Sequence, residues 1–458
     1  MRSTDVSVRE AAAAFHDVRL DHPLRLSGAT VDRFTLAVVR VTVEDRAGRV
    51  AWGEGASVLS VPWSWPVSGL SWTVRDLVLR RLTERLAAAA TEVGSGDPFA
   101  IHRELSEAAA CARRDGAEAA GGPEPVPELA AALALGAVDN AVHDGWARAA
   151  GAPATSLYEG LDLGPARGRL PVQHVVGLDD PLEPDPLEPD PLEPDPLEHP
   201  REPDPRESGL LEPGSREPDA VESGPPGRDD VAPPRRAAVR PLREWLRAEG
   251  IAHVKIKLSG RDPAADARRV IEVHRVLRES AGDRHTVSLD PNEGYQEPAA
   301  VLELLDALDG SPAWDALTYL EQPVPRDAPP DPGGMRAIGA RLPVLADESL
   351  ATETDLARLA AAGWSGPVIK AARGQSLAMR SLAHARAHGM RVALQDLTAV
   401  GLALVHSARL AAALPLDWQA FEYNSRQYAP RANGDLPAEL VRVRQGHVVP
   451  GPARPGIH

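Results

Sequence analysis

The sequence predicts an α/β protein in which an eight-stranded barrel of the TIM type follows an N-terminal α+β part. Two observations carry this. From Leu170 to Glu422 eight short apolar runs alternate with helical patterns, and such alternation builds a parallel sheet. Five successive runs also end on charge, at Lys257, Asp290, Glu321, Asp347 and Lys370, spaced 23 to 33 residues apart. A barrel of about 250 residues spends roughly 30 on each strand and helix, and it places its chemistry where the strands end.

The elements follow in order. Phe34–Val43 is β-rich, Asp45-Arg46-Ala47-Gly48 supplies turn residues, and Val50–Glu54 returns. Trp72–Ala90 and Glu128–Ala150 carry helical spacing, the second with Gly151 as its stop. These make up a first unit, residues 1–165. Leu170–Val176 is the first barrel strand, within 166–178. Residues 179–238 break the pattern. Asp180-Pro181-Leu182-Glu183-Pro184 has near copies starting at Asp185, Asp190 and Asp195, and decayed copies from Asp204. The proline spacing forbids helix or ladder, and so few apolar residues bury little, so the reading is a disordered insert. The remaining strands lie in 239–424, after a helix over Leu242–Glu249 that ends at Gly250.

At 458 residues, 43% hydrophobic and 25% charged, the chain has the composition of a globular protein. A formal charge of −16 argues against nucleic acid or anionic membrane as a partner. One cysteine, Cys111, allows no intrachain disulfide. No signal-like segment and no apolar run of ~18 residues is present, so the expected compartment is the cytoplasm.

Lys255 and Lys257 are two apart on one strand and face the same way. Neighbouring ammonium groups depress each other's pKa, which brings a lysine towards use as a base. Asp290, Glu321 and Asp347 on consecutive strands would repel unless a cation joined them, and all-oxygen ligands favour Mg²⁺ or Mn²⁺. Asn292 and Glu348 are candidates for supporting hydrogen bonds. The competing reading makes these carboxylates and lysines a salt-bridge network and nothing more. Lys370, on the sixth strand, stands across the barrel from Lys257. Two bases on opposite faces of a substrate carbon suit removal of a proton α to a carboxylate, with the cation stabilising the enediolate.

These residues resemble the enolase superfamily, and within it the muconate lactonizing enzyme subgroup. The motifs are Lys255-x-Lys257, Asp290-x-Asn292, Glu321-Gln322-Pro323, Asp347-Glu348-Ser349 and Lys370, joined by Ala137-Val138-Asp139-Asn140-Ala141 and Ala150-Gly151-Ala152-Pro153. The resemblance covers nearly everything except the insert. It implies a (β/α)7β barrel under an N-terminal α+β capping domain, with bound Mg²⁺. Residues 425–458 would pack back on that cap. Specificity would be set by cap loops near Phe15–Ser27 and Trp52–Trp65.

Three departures stand out. Strand seven carries Gln395-Asp396 where the mandelate racemase subgroup has a catalytic histidine. Strand eight ends Glu422-Tyr423-Asn424 where related dipeptide epimerases often hold a substrate ammonium with Asp-x-Asp. The strand-six loop reads Arg373-Gly374-Gln375 where a second glycine is common. The expected activity is racemisation or epimerisation of an N-substituted amino acid or dipeptide, by a homo-oligomer acting on a small carboxylate. An o-succinylbenzoate synthase-type lyase and a cycloisomerase fit the same residues. A non-catalytic binding protein would have lost ligands or bases, and none is lost.

Overall fold

The structure, a computed structural model, describes residues 4–119, 124–184 and 239–458. The repeats starting at Asp185, Asp190, Asp195 and Asp204, and with them most of the insert reading, lie outside the described residues.

The cap opens with an antiparallel sheet of three strands, β1 (Val6–Arg25), β2 (Thr30–Asp45) and β3 (Val50–Leu59). The β2–β3 turn forms as its residues dictate. Asp45 Oδ1 accepts from the Ala47 and Arg49 backbone nitrogens at 2.9 Å each, and Gly48 takes φ +77°. The sequence reading expected a loop over Phe15–Ser27, whereas Phe15–Arg25 is strand. The middle of β1 alternates exposed and half-buried residues with almost none fully buried, so it lacks the apolar face that marks a strand. Trp52–Leu59 is likewise strand, and only Ser60–Trp65 turns towards the barrel.

Helices Trp72–Ala90 and Glu128–Ala150 form where predicted, and a third, Pro98–Ala119, was not anticipated. Glu128–Ala150 is buried almost throughout and ends on Gly151 in the left-handed region. It lies between the cap sheet and the barrel. A Cβ on Gly55 would meet the Ala141 nitrogen at 2.2 Å, and one on Gly136 would meet the Ala372 carbonyl at 2.1 Å. Only glycine allows that approach on either side. Asp139 of this helix accepts from the Ser376 nitrogen and hydroxyl at 2.7 Å each. Asp139 therefore caps the barrel helix Gln375–His388 from the other domain.

The barrel strands are β4 (Leu170–Val176), β5 (His253–Lys257), β6 (Thr286–Asp290), β7 (Leu317–Glu321), β8 (Val344–Ala346), β9 (Gly366–Ile369), β10 (Ala393–Leu394) and β11 (Phe421–Glu422). Each pairs in parallel with its sequence neighbour through β10. β11 pairs with β4, and the ring closes through a parallel bridge from Ala393 to Trp418. Inward residues stack in layers. Tyr319, Leu345, Val368 and Ala393 form one apolar cluster with Trp418. Each stands two residues before Glu321, Asp347, Lys370 and Gln395 respectively, so the charged layer rests on this apolar floor.

The C-terminal segment touches both domains. Strand β12 (His447–Val448) pairs antiparallel with the start of β4. Ile457 donates its nitrogen to Asp144 Oδ1 at 2.8 Å, and His458 Nε2 meets the Glu54 carbonyl at 2.7 Å in the cap. Among the described residues, no helix is long and apolar enough to cross a membrane.

The insert boundary is corrected at one end, because Asp180–Glu183 belongs to the barrel. Asp180 accepts from the Gly177 nitrogen at 2.8 Å and the Tyr428 hydroxyl at 3.2 Å, Leu182 is buried, and Glu183 pairs with Arg243 and with Arg275 at 3.0 Å. A deletion of 180–234 removes these contacts, and one of 185–234 spares them. We expect the longer deletion to melt about 5 °C or more below the shorter, the loss of a few kcal/mol in a protein of this size. Equal Tm values by calorimetry would show that Asp180–Glu183 contributes nothing.

Candidate active site

Strand period and register assemble the site. Lys255 and Lys257 both point inward from β5, with Lys257 opposite Asp290 across the β5–β6 pair. One cavity at the C-terminal mouth is lined by Lys255, Lys257, Asn292, Asp347, Lys370, Asp396, Glu422 and Asn424. Leu24, Leu26, Phe34 and Trp63 of the cap form its roof. Asp290 and Glu321 lie against its lysines. Gln395 turns to the floor and donates to the Tyr319 hydroxyl.

Every lysine has acidic partners. Lys255 Nζ lies 2.6 Å from Glu422, 3.0 Å from Glu321 and 3.3 Å from Asp290. Lys257 Nζ donates to Asp290 Oδ2 at 2.5 Å. Lys370 Nζ meets Asp347 Oδ2 at 3.1 Å and the Asp396 carbonyl at 2.9 Å, and it stands 5.2 Å from the centre of the Trp63 ring. The lysine pair was expected to depress its own pKa. The opposite holds for Lys255. Burial pulls it down, but Glu321, Glu422 and Asp290 outweigh burial and hold it well above the ordinary lysine value. Lys370 is raised too, with Asp347 and Glu321 overcoming burial and the repulsion of Lys255.

The carboxylates divide. Asp290 is lowered, because Lys257 and Lys255 overcome its burial. Glu321 is pushed up to about 8 by burial, Asp290 and Asp347, against Lys255. Glu348 is raised well above its usual range by burial, Asp347 and Glu293. Asp396 rises to about 7 through burial and Glu422. Asn424 donates to Glu422 Oε1 at 3.3 Å.

Among the described residues, no three acidic or imidazole groups stand together at coordinating range. Asp290, Glu321 and Asp347 hold lysines instead, as in the salt-bridge reading. That network does not satisfy them. Among the described residues, Asp290, Glu321, Asp347, Glu348, Asp396 and Glu422 are buried, and the buried bases that face them are Lys255, Lys257, Lys370 and Arg373; Arg326, at the edge beside Glu348, is already paired with Glu293. Among the described residues, Glu321 Oε1 and Glu348 Oε2 have neither a hydrogen-bond donor nor an ion-pair partner, and Asp347 Oδ1 has the Arg373 guanidinium at 3.3 Å without a hydrogen bond. Six acids against four bases, with buried oxygens left over, fit a divalent cation in charge and in donor type.

Three further residues build the site. Trp63 Nε1 donates to Glu348 Oε1 at 2.8 Å, beside Asn292 Nδ2 at 3.1 Å, and so ties the cap to β8. Gln322, at φ +35°, accepts from the Asp347 and Ser349 nitrogens at 2.9 and 3.1 Å and so fixes the loop that carries Asp347. Arg373 is fully buried. It donates to the carbonyls of Asp347, Leu350 and Val368 and lies 3.3 Å from Asp347 Oδ1. Gln322 was visible within the Glu321-Gln322-Pro323 motif, and Trp63 within a stretch read as loop. Arg373 gave no signal beyond a charge at the end of an apolar run.

Residues 237–457 match the family model described as enolase C-terminal domain-like. No curated protein matches the sequence. Solved structures share the fold at low identity. A dipeptide epimerase from Enterococcus faecalis V583, complexed with Mg and the dipeptide L-Leu-L-Tyr, is 16% identical with a TM-score of 0.61, covering 98% of each chain. The L-Ala-D/L-Glu epimerase from Bacillus subtilis is 18% identical at 0.57, again covering 98% of each. An N-succinyl Arg/Lys racemase from Bacillus cereus is 16% identical at 0.59, over 98% of this chain and 94% of that one.

Arg373→Met takes a donor from three buried carbonyls and an ion-pair partner from Asp347, which keeps Lys370. We expect a loss of about 3 kcal/mol or more, because several buried acceptors lose a charged donor at once. Urea unfolding that shows less than about 1 kcal/mol would remove Arg373 from this role.

Proposed function

We propose that this chain, whose barrel carries the enolase C-terminal domain-like fold, is a divalent-cation-dependent enzyme that removes a proton α to a carboxylate. Its reaction would be racemisation or epimerisation of an N-substituted amino acid or a dipeptide. The observation that carries the reading is the placement of Lys257 and Lys370. They line one cavity from strands two and six of an eight-strand ring, with Asp290, Glu321 and Asp347 on the three strands between them on one side. The neighbours named above support it through their shared fold.

Asp290, Glu321 and Asp347 would hold Mg²⁺ or Mn²⁺, with Asn292 and Glu348 steadying them. Such an ion supplies positive charge against the substrate carboxylate, which lowers the cost of taking the α-proton. Lys257 and Lys370 take or return that proton from opposite faces. Lys255, fully buried among carboxylates, acts as a fixed positive charge. Asp396, Glu422 and Asn424 face the rest of the substrate, and the cap roof excludes water.

A one-base lyase is the second reading, and one observation favours it. Lys370 is also held by the Asp396 carbonyl and stands near the Trp63 ring, which suits a stationary charge.

Two measurements test the proposal. Mn²⁺ binding, followed by electron paramagnetic resonance, should weaken at least about tenfold in Asp290→Asn or Glu321→Gln. EDTA should abolish turnover, with Mg²⁺ restoring it, and full activity in metal-free protein would end the metal assignment. The second measurement is α-proton exchange in D₂O, followed by NMR with both enantiomers of N-acyl amino acids and dipeptides. In a racemase, Lys257→Ala and Lys370→Ala each lose inversion but keep exchange of one enantiomer, and the surviving enantiomer swaps between them. In the lyase, Lys257→Ala loses all exchange, and Lys370→Ala is slowed by about 10²–10³. No exchange by the unaltered protein with any such compound would sink the leading reading.

A further inference from the structure

We propose that the flank of the molecule carries a second site, separate from the barrel mouth, for a small oxyanion borne on a flat apolar body. The site lies where helix Leu402–Ala413 meets the C-terminal segment 450–458 and the end of the cap helix Glu128–Ala150. It consists of a small cavity that adjoins a shallow cleft, and Arg409 and Arg454 line both. Neither shares a lining residue with the barrel-mouth cavity.

The charge is the first argument. The chain carries −16 overall, yet no carboxylate side chain lines the cavity or the cleft, while Arg148, Arg167, Arg409 and Arg454 do. The nearest acid is already spent. Asp144 accepts from Arg148 Nε at 2.7 Å, the Glu54 nitrogen at 3.0 Å and the Ile457 nitrogen at 2.8 Å. Arg409 is half-buried, and among the described residues its guanidinium donates only to the Pro450 carbonyl, at a long 3.4 Å. Arg454 is exposed and makes no hydrogen bond or ion pair among the described residues. Burial disfavours the charge of Arg409, and Arg454 stands close enough to disfavour it further. Two neighbouring guanidinium forks that form no ion pair among the described residues match the paired oxygens of a carboxylate or phosphate.

Buried polar chemistry supplies the second argument. His406 lines the cavity and is almost fully buried. Its Nε2 meets Gln375 Oε1 at 2.8 Å, whereas its Nδ1 has no partner. A buried ring nitrogen of this kind calls for a bound group. The third argument is shape. The cavity is walled by Ala154, Leu410 and Ile457. The cleft presents Trp52, which is 49% exposed with Arg148 stacked on it at 4.3 Å. A flat apolar body has surfaces to meet on both sides of the arginines.

The test uses the full chain and three probes of one shape: benzoate, phenyl phosphate and uncharged benzyl alcohol. Isothermal titration should show binding of at least one of the two anions and none of the alcohol. The anion that binds identifies the head group. Arg454→Ala and Arg409→Gln should each weaken that binding at least about tenfold. Lys257→Ala should leave it unchanged, which separates this site from the barrel mouth. Arg454→Ala is a surface change and should leave α-proton exchange as it was. Benzyl alcohol binding as well as the anions, binding indifferent to both arginine substitutions, or binding lost with Lys257→Ala would each overturn the proposal. The site stands independently of the reaction proposed for the barrel.

Discussion

Surplus negative charge under the barrel mouth is the constraint on which this architecture turns. Six carboxylates are buried around three lysines and one arginine, and four of them, Asp290, Glu321, Asp347 and Glu422, pair directly with these bases. Burying an unbalanced charge costs several kcal/mol per ion, so the surplus must be met by protons, by rearrangement or by a cation. The structure shows the strain of the first option. Glu321 and Asp396 titrate near neutrality, and Glu348 is raised further. A small, doubly charged cation, as proposed above, would meet this surplus without protons.

The cap is bound to this constraint. Trp63 reaches down to Glu348, the acid most in need of a donor. Helix Glu128–Ala150 approaches the loop after Lys370 so closely that Gly136 cannot carry a Cβ, and Asp139 caps the helix that follows. Positions of Lys370 and Glu348 are thus fixed partly by residues more than two hundred positions earlier in the chain. The roof over the cavity comes from the same domain, so the shape of the cavity and the placement of its charged residues are set together.

What could be read from the sequence was what repeats. Barrel strands end on charge at near-constant spacing, and a side-chain period of two decides that Lys255 and Lys257 face inward together. Helices Trp72–Ala90 and Glu128–Ala150 have capping residues and apolar spacing that need no tertiary context. Features without a local signature were missed. Strand β1 runs through four successive alanines, Ala11–Ala14, with charged residues before and after them, so its pairing with β2 supplies most of its order. Arg373 is committed by three carbonyls from distant loops, which no local window contains. Asp180–Glu183 reads as the first repeat copy, yet Tyr428, Arg243 and Arg275 capture it. The lysine pKa expectation failed for a related reason. It counted the neighbouring lysine and not Glu422, which arrives from the opposite end of the barrel sequence.

That failure bears on mechanism. A lysine held by carboxylates is a poor base, since its proton is stabilised where it sits. Lys370 is raised chiefly by Asp347 and Glu321, two of the acids proposed to hold the cation. Were those acids engaged with a cation, Lys370 would lose most of its counter-charge while its burial remained, and burial alone lowers a lysine. Lys255 keeps Glu422 at 2.6 Å in either state, so it stays protonated and suits electrostatic support rather than proton transfer. On the proposed reading, lysine basicity and cation loading would be one equilibrium, in which the base becomes competent only when the charge that stabilises the product of its action is in place.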